Sequence, residues 1–181
     1  MATLPSNQNQ IPDRSIMDYY NRQRYLGQQF IYGLNGYSSG ATAETNVLLI
    51  QNPIANASAS ASFPGRQTIG LFLDFRRLAC VTASETAVLK FYSNPIFSAA
   101  GTSETPVNCR PAYSNVSMMA ISQAPTTSAK GTFLDSLESG AYVPSESRLL
   151  YILDPGQSML VTVTSGSSST SFNTAFSWYE I

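Results

Sequence analysis

From Gly27 onward the apolar residues come in short runs, cut by Gly, Pro, Asn and Ser. Phe30-Ile31-Tyr32 is the first run. Asn46 to Gln51 is the second; it holds Val47, Leu48, Leu49 and Ile50 and stops at Asn52-Pro53. Thr68 to Phe75 alternates, which places Ile69, Leu71, Leu73 and Phe75 on one face of a strand. Ala87 to Tyr92 alternates at Leu89 and Phe91. Val116 to Ile121, Ser147 to Leu153, Ser158 to Thr164 and Ser171 to Tyr179 complete the set. The last run puts Phe172, Thr174, Phe176 and Trp178 on one face. About eight short strands with turn residues between them predict an all-β protein, an antiparallel β-sandwich or jelly roll. No long helical period separates the runs, so a parallel sheet with crossover helices is disfavoured.

The punctuation can be read further. Asp154-Pro155-Gly156 sets Pro where φ is fixed and Gly where φ can be positive, a tight turn. The soft loop Ser165 to Thr170 predicts that the last two strands form a hairpin. Gly33 to Gly40 lacks the Lys and the following helix of a phosphate-binding loop, and predicts a turn. Ala55 to Ser62 predicts a loop or a close-packed contact strand, and Ala99 to Pro106 and Gln123 to Ala129 predict polar loops.

The first residues differ in texture. Met1 to Pro12 is polar, with neither the basic nor the apolar region of a secretory signal peptide. Asp13 can cap a short helix that runs to about Leu26 and ends at Gly27. So short a helix is marginal alone and needs a surface to dock on. The chain therefore divides into an N-terminal arm with one short helix, residues 1–28, and a β-sandwich domain, residues 29–181.

Charge narrows the chemistry. Only 12% of the 181 residues are charged, with 10 Lys+Arg, 11 Asp+Glu and no His. A net charge of −1 gives no footprint for nucleic acid or an anionic membrane. No window is apolar enough to span a bilayer as a helix. The absence of His excludes Ser-His-Asp and Cys-His catalysis and His-ligated metal. No cofactor, metal or small-molecule substrate is expected. Asp135 with Glu138 is a conceivable carboxylate pair for glycoside cleavage, though solvated surface charge is the simpler reading. Arg76-Arg77 predicts a strand-end surface pair, or else an ion pair to a neighbouring subunit. Cys80 and Cys109 predict two small buried hydrophobes, with a disulfide as the alternative. Tyr37, Tyr92, Phe97, Tyr113 and Tyr142 are core or interface anchors, or sugar-stacking rings.

One set of segments resembles a known group. Asn52-Pro53 ends a strand before Ile69 to Phe75. Thr105-Pro106-Val107-Asn108, Lys130-Gly131-Thr132-Phe133-Leu134 and Leu153-Asp154-Pro155-Gly156-Gln157-Ser158-Met159-Leu160-Val161 follow, and Phe176-Ser177-Trp178-Tyr179-Glu180-Ile181 closes the chain. In this order they resemble the small jelly-roll structural proteins of tailed bacteriophages, the head decoration or cement type. The resemblance covers about residues 29–181 and brings no catalytic residues. It implies a capsid-surface virion protein, assembled in the host cytoplasm, often a trimer, bound to the major capsid protein or another virion protein. The arm would be the tether. Ile16, Tyr19, Tyr20 and Tyr25 would anchor it, and Arg14, Arg22 and Arg24 would pair with acidic shell residues. The competing expectation is a receptor- or glycan-binding module of a tail fibre or adhesin.

Overall fold

A computed structural model of the chain describes residues 28–38, 42–53, 71–82, 85–112, 114–147, 151–167 and 170–180, with backbone alone over 71–75. The predicted helix from Asp13 to Leu26 lies outside these residues. So do the arm residues Arg14, Ile16, Tyr19, Tyr20, Arg22, Arg24 and Tyr25.

The described residues are all-β, without a helix. In chain order the first four strands are β1 (Gln29–Ser38), β2 (Thr45–Gln51), β3 (Leu71–Cys80) and β4 (Ala87–Ser93). Five short strands follow: β5 (Ile96–Ala99), β6 (Thr102–Glu104), β7 (Val107–Asn108), β8 (Ala120–Gln123) and β9 (Thr126–Ala129). The chain then returns through β10 (Thr132–Ser139), β11 (Ser145–Ser147), β12 (Tyr151–Leu153), β13 (Ser158–Ser165) and β14 (Ser171–Glu180).

Two antiparallel sheets pack face to face. One has the order β11-β3-β14-β1-β7, with β12 also on β3; the other has β10-β4-β13-β2-β8-β6. The long strands cross from one sheet to the other at nearly every connection. The step from β4 to β10 is the exception, where the chain stays in one sheet and carries β5 to β9 as an insertion. Two parts of that insertion cap sheet edges that would otherwise invite foreign strands. β7 lies beside β1, and β8 with β6 lies beside β2.

The core follows from alternation. Phe30, Tyr32 and Leu34 point inward from β1, and Phe172, Phe176 and Trp178 from β14. Leu89 and Phe91 face them from β4, and Met159, Val161 and Val163 from β13. Phe91 meets Phe176 edge-on across the two sheets, with ring centroids 6.2 Å apart. Cys80 is buried, Cys109 is half-buried, and no disulfide joins them.

Several expectations need correction. The last two strands are no hairpin: β13 pairs with β2 and β4, and β14 with β1 and β3. Both are apolar enough to be interior strands, and each is worth more between two partners than beside one another. Gly33 to Ser38 is no turn. It continues β1 through a bulge between Leu34 and Tyr37, with Gly36 at φ 63°. The run from Val116 starts pairing only at Ala120, and the loops around Thr102 and Thr126 are short strands. The Asp154 turn stands as expected. Gln157 N–H donates to Asp154 O at 3.0 Å, and Gly156 takes φ 86°.

The second sheet carries an internal two-fold. Pro95, Ser98, Ala99, Gly101 and Thr102 recur in order as Pro125, Ser128, Ala129, Gly131 and Thr132. The structure places the two copies as mates. Thr102 pairs with Gln123 as Thr132 pairs with Ser93. Asn94 N–H donates to Ser158 O at 2.8 Å, and Ala124 N–H to Val47 O at 3.0 Å. Ser98 Oγ donates to Thr126 O at 3.4 Å, and Ser128 Oγ to Ile96 O at 3.3 Å. The axis passes through the Leu160–Leu49 pair, with Met159–Ile50 and Val161–Leu48 on either side.

Each glycine of the repeat closes on the other copy. A Cβ on Gly101 would lie 1.9 Å from Gln123 O, and one on Gly131 would lie 2.1 Å from Ser93 O. Both glycines have positive φ, 92° and 87°. The residues ahead of the prolines, Asn94 and Ala124, are also left-handed at 52° and 49°, a cost the interlock must hold.

Candidate functional site

The two outer faces of the sandwich differ, and the difference defines where chemistry can occur. On the β4-β13-β2 face, alternation sends Leu49 and Leu160 away from the core, yet both are fully buried. Across this face runs the antiparallel β5–β9 ribbon, tied down at Asn94 and Ala124. Asn46 on β2 fastens it in the middle, donating to Pro125 O at 3.0 Å and Thr127 Oγ1 at 2.9 Å. These bonds tie the ribbon to β2 and β13.

Beside the ribbon sits the densest charged cluster among the described residues. Glu44 accepts from Thr162 Oγ1 at 2.6 Å and Tyr92 Oη at 2.8 Å. Lys130 Nζ and Lys90 Nζ approach the other oxygen at 3.1 and 3.3 Å. Burial alone would raise the carboxyl, but the hydrogen bonds from Thr162, Tyr92, Lys130 and Lys90 outweigh it and hold Glu44 down at about 2. Tyr92 is pushed up to about 12, by burial first and then by the Glu44 carboxylate it serves. Every oxygen of Glu44 is engaged, so the cluster is a tie between β2, β4, β13 and the insertion and leaves no free nucleophile or base.

The carboxylate pair proposed from sequence does not form. Along β10, Asp135 points toward the sandwich interior while Glu138, an odd number of residues away, points to solvent. Asp135 instead bonds the guanidinium of Arg76 on β3. Arg76 is almost completely buried, lies 4.5 Å over the Phe91 ring and reaches Ser147 Oγ at 3.2 Å. Burial raises Asp135, but the Arg76 bond wins and its carboxyl titrates below the usual range. So the Arg76-Arg77 doublet is not a surface pair. One residue of strand alternation sends Arg76 into the core and Arg77 outward, where it meets Glu146 at 3.5 Å.

The aromatic candidates are mostly structural. Tyr37 packs on Phe172 at 5.4 Å, and Tyr92 packs edge-on against Phe133 at 5.6 Å. Tyr142 stands out: it is 68% exposed and left-handed at φ 55°. Its loop is held by Tyr142 N–H to Cys80 O at 3.0 Å and by Ser139 Oγ to Val143 O at 2.7 Å. Tyr113 lies outside the described residues.

Among the described residues, no ribbon lies over the outer face of the β1-β14-β3 sheet. Its centre is built of small residues in register: Gly33 opposite Ala175, Ala175 opposite Arg77, and Asn173 opposite Ala79. A notch of about 190 Å³ opens there, lined by Asn35, Arg77, Ala79, Asn173, Thr174 and Ala175. Sequence reasoning did not find it. Asn35 reaches the notch through the β1 bulge, and Asn173 and Arg77 come from strands distant in the chain. Toward the β7 edge the same face exposes Ile31 and Val107, which are register partners.

No family model and no curated protein matches the chain. Among solved structures it is similar to the Yersinia pseudotuberculosis-derived mitogen, at 13% identity over 82% of this chain and 81% of that one, TM-score 0.31. It is similar to turnip yellow mosaic virus at 11% identity over 84% and 80% of the two chains, TM-score 0.24. A nora virus structure follows at 14% identity, 83% and 54% coverage and TM-score 0.23. At these scores the likenesses carry no functional argument. What the geometry itself defines, among the described residues, is a two-sheet antiparallel sandwich with one face covered by its own insertion and the other without such a cover.

Proposed function

We propose that this chain is a non-enzymatic virion structural protein that decorates and cements a bacteriophage capsid. The observation that carries the reading is the path of the chain. Its long strands give two four-stranded layers, β2-β13-β4-β10 against β1-β14-β3 with β11 and β12, entered alternately as in the two nested Greek keys of a jelly roll. The reading is an analogy at the level of fold and of sequence resemblance. Chemistry supports it from the other side. The carboxylate of the Glu44 cluster is satisfied internally, and a surface with few charges suits burial against neighbours in a symmetric shell. In this reading the protein sits on the capsid surface as a homotrimer. The arm ties it to the major capsid protein through Arg14, Ile16, Tyr19, Tyr20, Arg22, Arg24 and Tyr25.

The test uses the parent particle. The full chain should copurify with it, and particles stripped of the protein should lose resistance to heat and low salt. A chain lacking residues 1–27 should fold and lose occupancy on the particle. Full occupancy without the arm removes the tether; equal resistance of stripped particles removes the cementing role.

A further inference from the structure

Among the described residues, the notch on the β1-β14-β3 face differs from the Glu44 and Arg76 clusters, because its side chains are not paired off against one another. Gly36 N–H donates to Asn173 Oδ1 at 2.7 Å, which fixes that amide and leaves its Nδ2 group as a donor. Gly36 can make this bond because its left-handed φ turns the β1 bulge toward β14. The same bulge sets the Asn35 amide, donor and acceptor together, on the rim. Arg77 completes the wall. Its contact to Glu146 is made by Nε, at a long 3.5 Å and half exposed, and no hydrogen bond among the described residues holds the guanidinium fork. Thr174 Oγ1 is already committed to Arg77 O at 2.8 Å and holds β3 in place.

Among the described residues, no acidic side chain lines the notch. A guanidinium fork with amide N–H groups beside it is the arrangement that takes a carboxylate, with two parallel charge-assisted bonds. The remaining walls say what carries the carboxylate. Ala79 and Ala175 give a floor of methyl groups. Gly33 beside them is held small, since a Cβ there would meet Thr174 O at 3.3 Å. A floor of this kind suits the C–H face of a sugar ring, and the two-way amide of Asn35 suits its hydroxyls. An acidic protein side chain would use the fork and leave the amide and the floor idle. We propose that this notch binds an acidic sugar, a uronic or sialic-type acid, with Arg77 holding the carboxylate and Asn35 and Asn173 reading the ring. This gives the protein a glycan-binding function that is separate from assembly and does not depend on it.

Titration of the isotopically labelled full chain, followed by amide shifts, decides the matter. The probes are glucuronate and N-acetylneuraminate, with glucose as the neutral ring and N-acetylglutamate as a carboxylate without a ring. Either acid should shift Gly33, Asn35, Ala79, Asn173 and Ala175 together, and glucose should bind about tenfold more weakly or not at all. Arg77→Ala should abolish the response. Arg77→Lys should weaken it, because a lysine cannot form the two-pronged contact. Arg77 and Glu146 are both exposed, so these variants should keep the circular dichroism of the parent, and Glu146→Gln should bind at least as tightly. No shift with either acid overturns the proposal, as does an equal response to glucose. An equal response to N-acetylglutamate overturns the sugar and leaves a simple carboxylate site. Failure of the particle experiment would leave this result untouched.

Discussion

Replacing Asp135 by Asn should destabilise the fold more than removing Arg76 altogether. The asymmetry follows from burial. Arg76 has 2% of its side chain exposed, and Asp135 has 31%. Without the Asp135 charge, the guanidinium keeps Ser147 Oγ at 3.2 Å and the Phe91 ring, while its Nε and Nη1 already lack hydrogen-bond partners. A cation stranded in this way costs about 3–5 kcal/mol where no water reaches it. Here water can enter from the Asp135 side, which lowers the expected cost to about 2–3 kcal/mol. Arg76→Met strands nothing of the kind, because the freed Asp135 carboxylate turns to solvent. It should cost about 1 kcal/mol or less, and the double variant Arg76→Met with Asp135→Asn should cost less than Asp135→Asn alone. Urea unfolding at neutral pH reads all four proteins through the single Trp, Trp178, which is fully buried. A double-mutant cycle then isolates the coupling. If Asp135→Asn lies within about 0.5 kcal/mol of the parent, or below Arg76→Met in cost, the argument from a stranded buried charge is wrong.

The interlocked glycines offer a second test. Gly101→Ala and Gly131→Ala should each cost about 3 kcal/mol in thermal unfolding, since each Cβ meets a backbone carbonyl. Gly36→Ala, at a similar φ but with nothing within 4 Å, should cost only about 1 kcal/mol. Equal effects at all three would mean that conformation and not the interlock sets the cost. Glu44 supplies a pH signature. Its folded value is about 2 against an ordinary 4.5, so its contribution is complete above 4.5 and disappears as pH falls toward 2. Glu44→Gln should therefore destabilise the protein at neutral pH and flatten its stability profile between pH 4.5 and 2. An unchanged acid profile would remove Glu44 as the tie.

Much of the architecture was legible in the residues because alternation is local. Phe172, Thr174, Phe176 and Trp178 had to share a face once that run was a strand, and all four are buried on one side. Asp154-Pro155-Gly156 had to turn, because Pro and Gly fix the dihedrals on the spot. The errors came where the outcome depended on partners. A soft Ser-Gly loop permits a hairpin and equally permits a crossing to the other sheet; the apolar content of β13 and β14 settled it, because each buries more with two neighbours. Gly33 to Ser38 offered turn residues, yet pairing with β14 carried it through as a bulged strand.

The site was less legible still. Neighbouring positions in a strand face opposite ways, so Arg76 and Arg77 look equivalent in the chain and have unlike fates. Asp135 and Glu138 sit close in sequence and point apart, whereas Asn35, Arg77 and Asn173 are far apart in sequence and line one notch. The sequence by itself determined that the domain from Gln29 onward would be built of β-strands, low in charge and without histidine chemistry, since those follow from composition and from a period of two. Only the tertiary structure decided which face the chain's own ribbon would cover. That choice rests on contacts between the two copies of a short repeat, where a missing Cβ in one copy makes room for a carbonyl of the other.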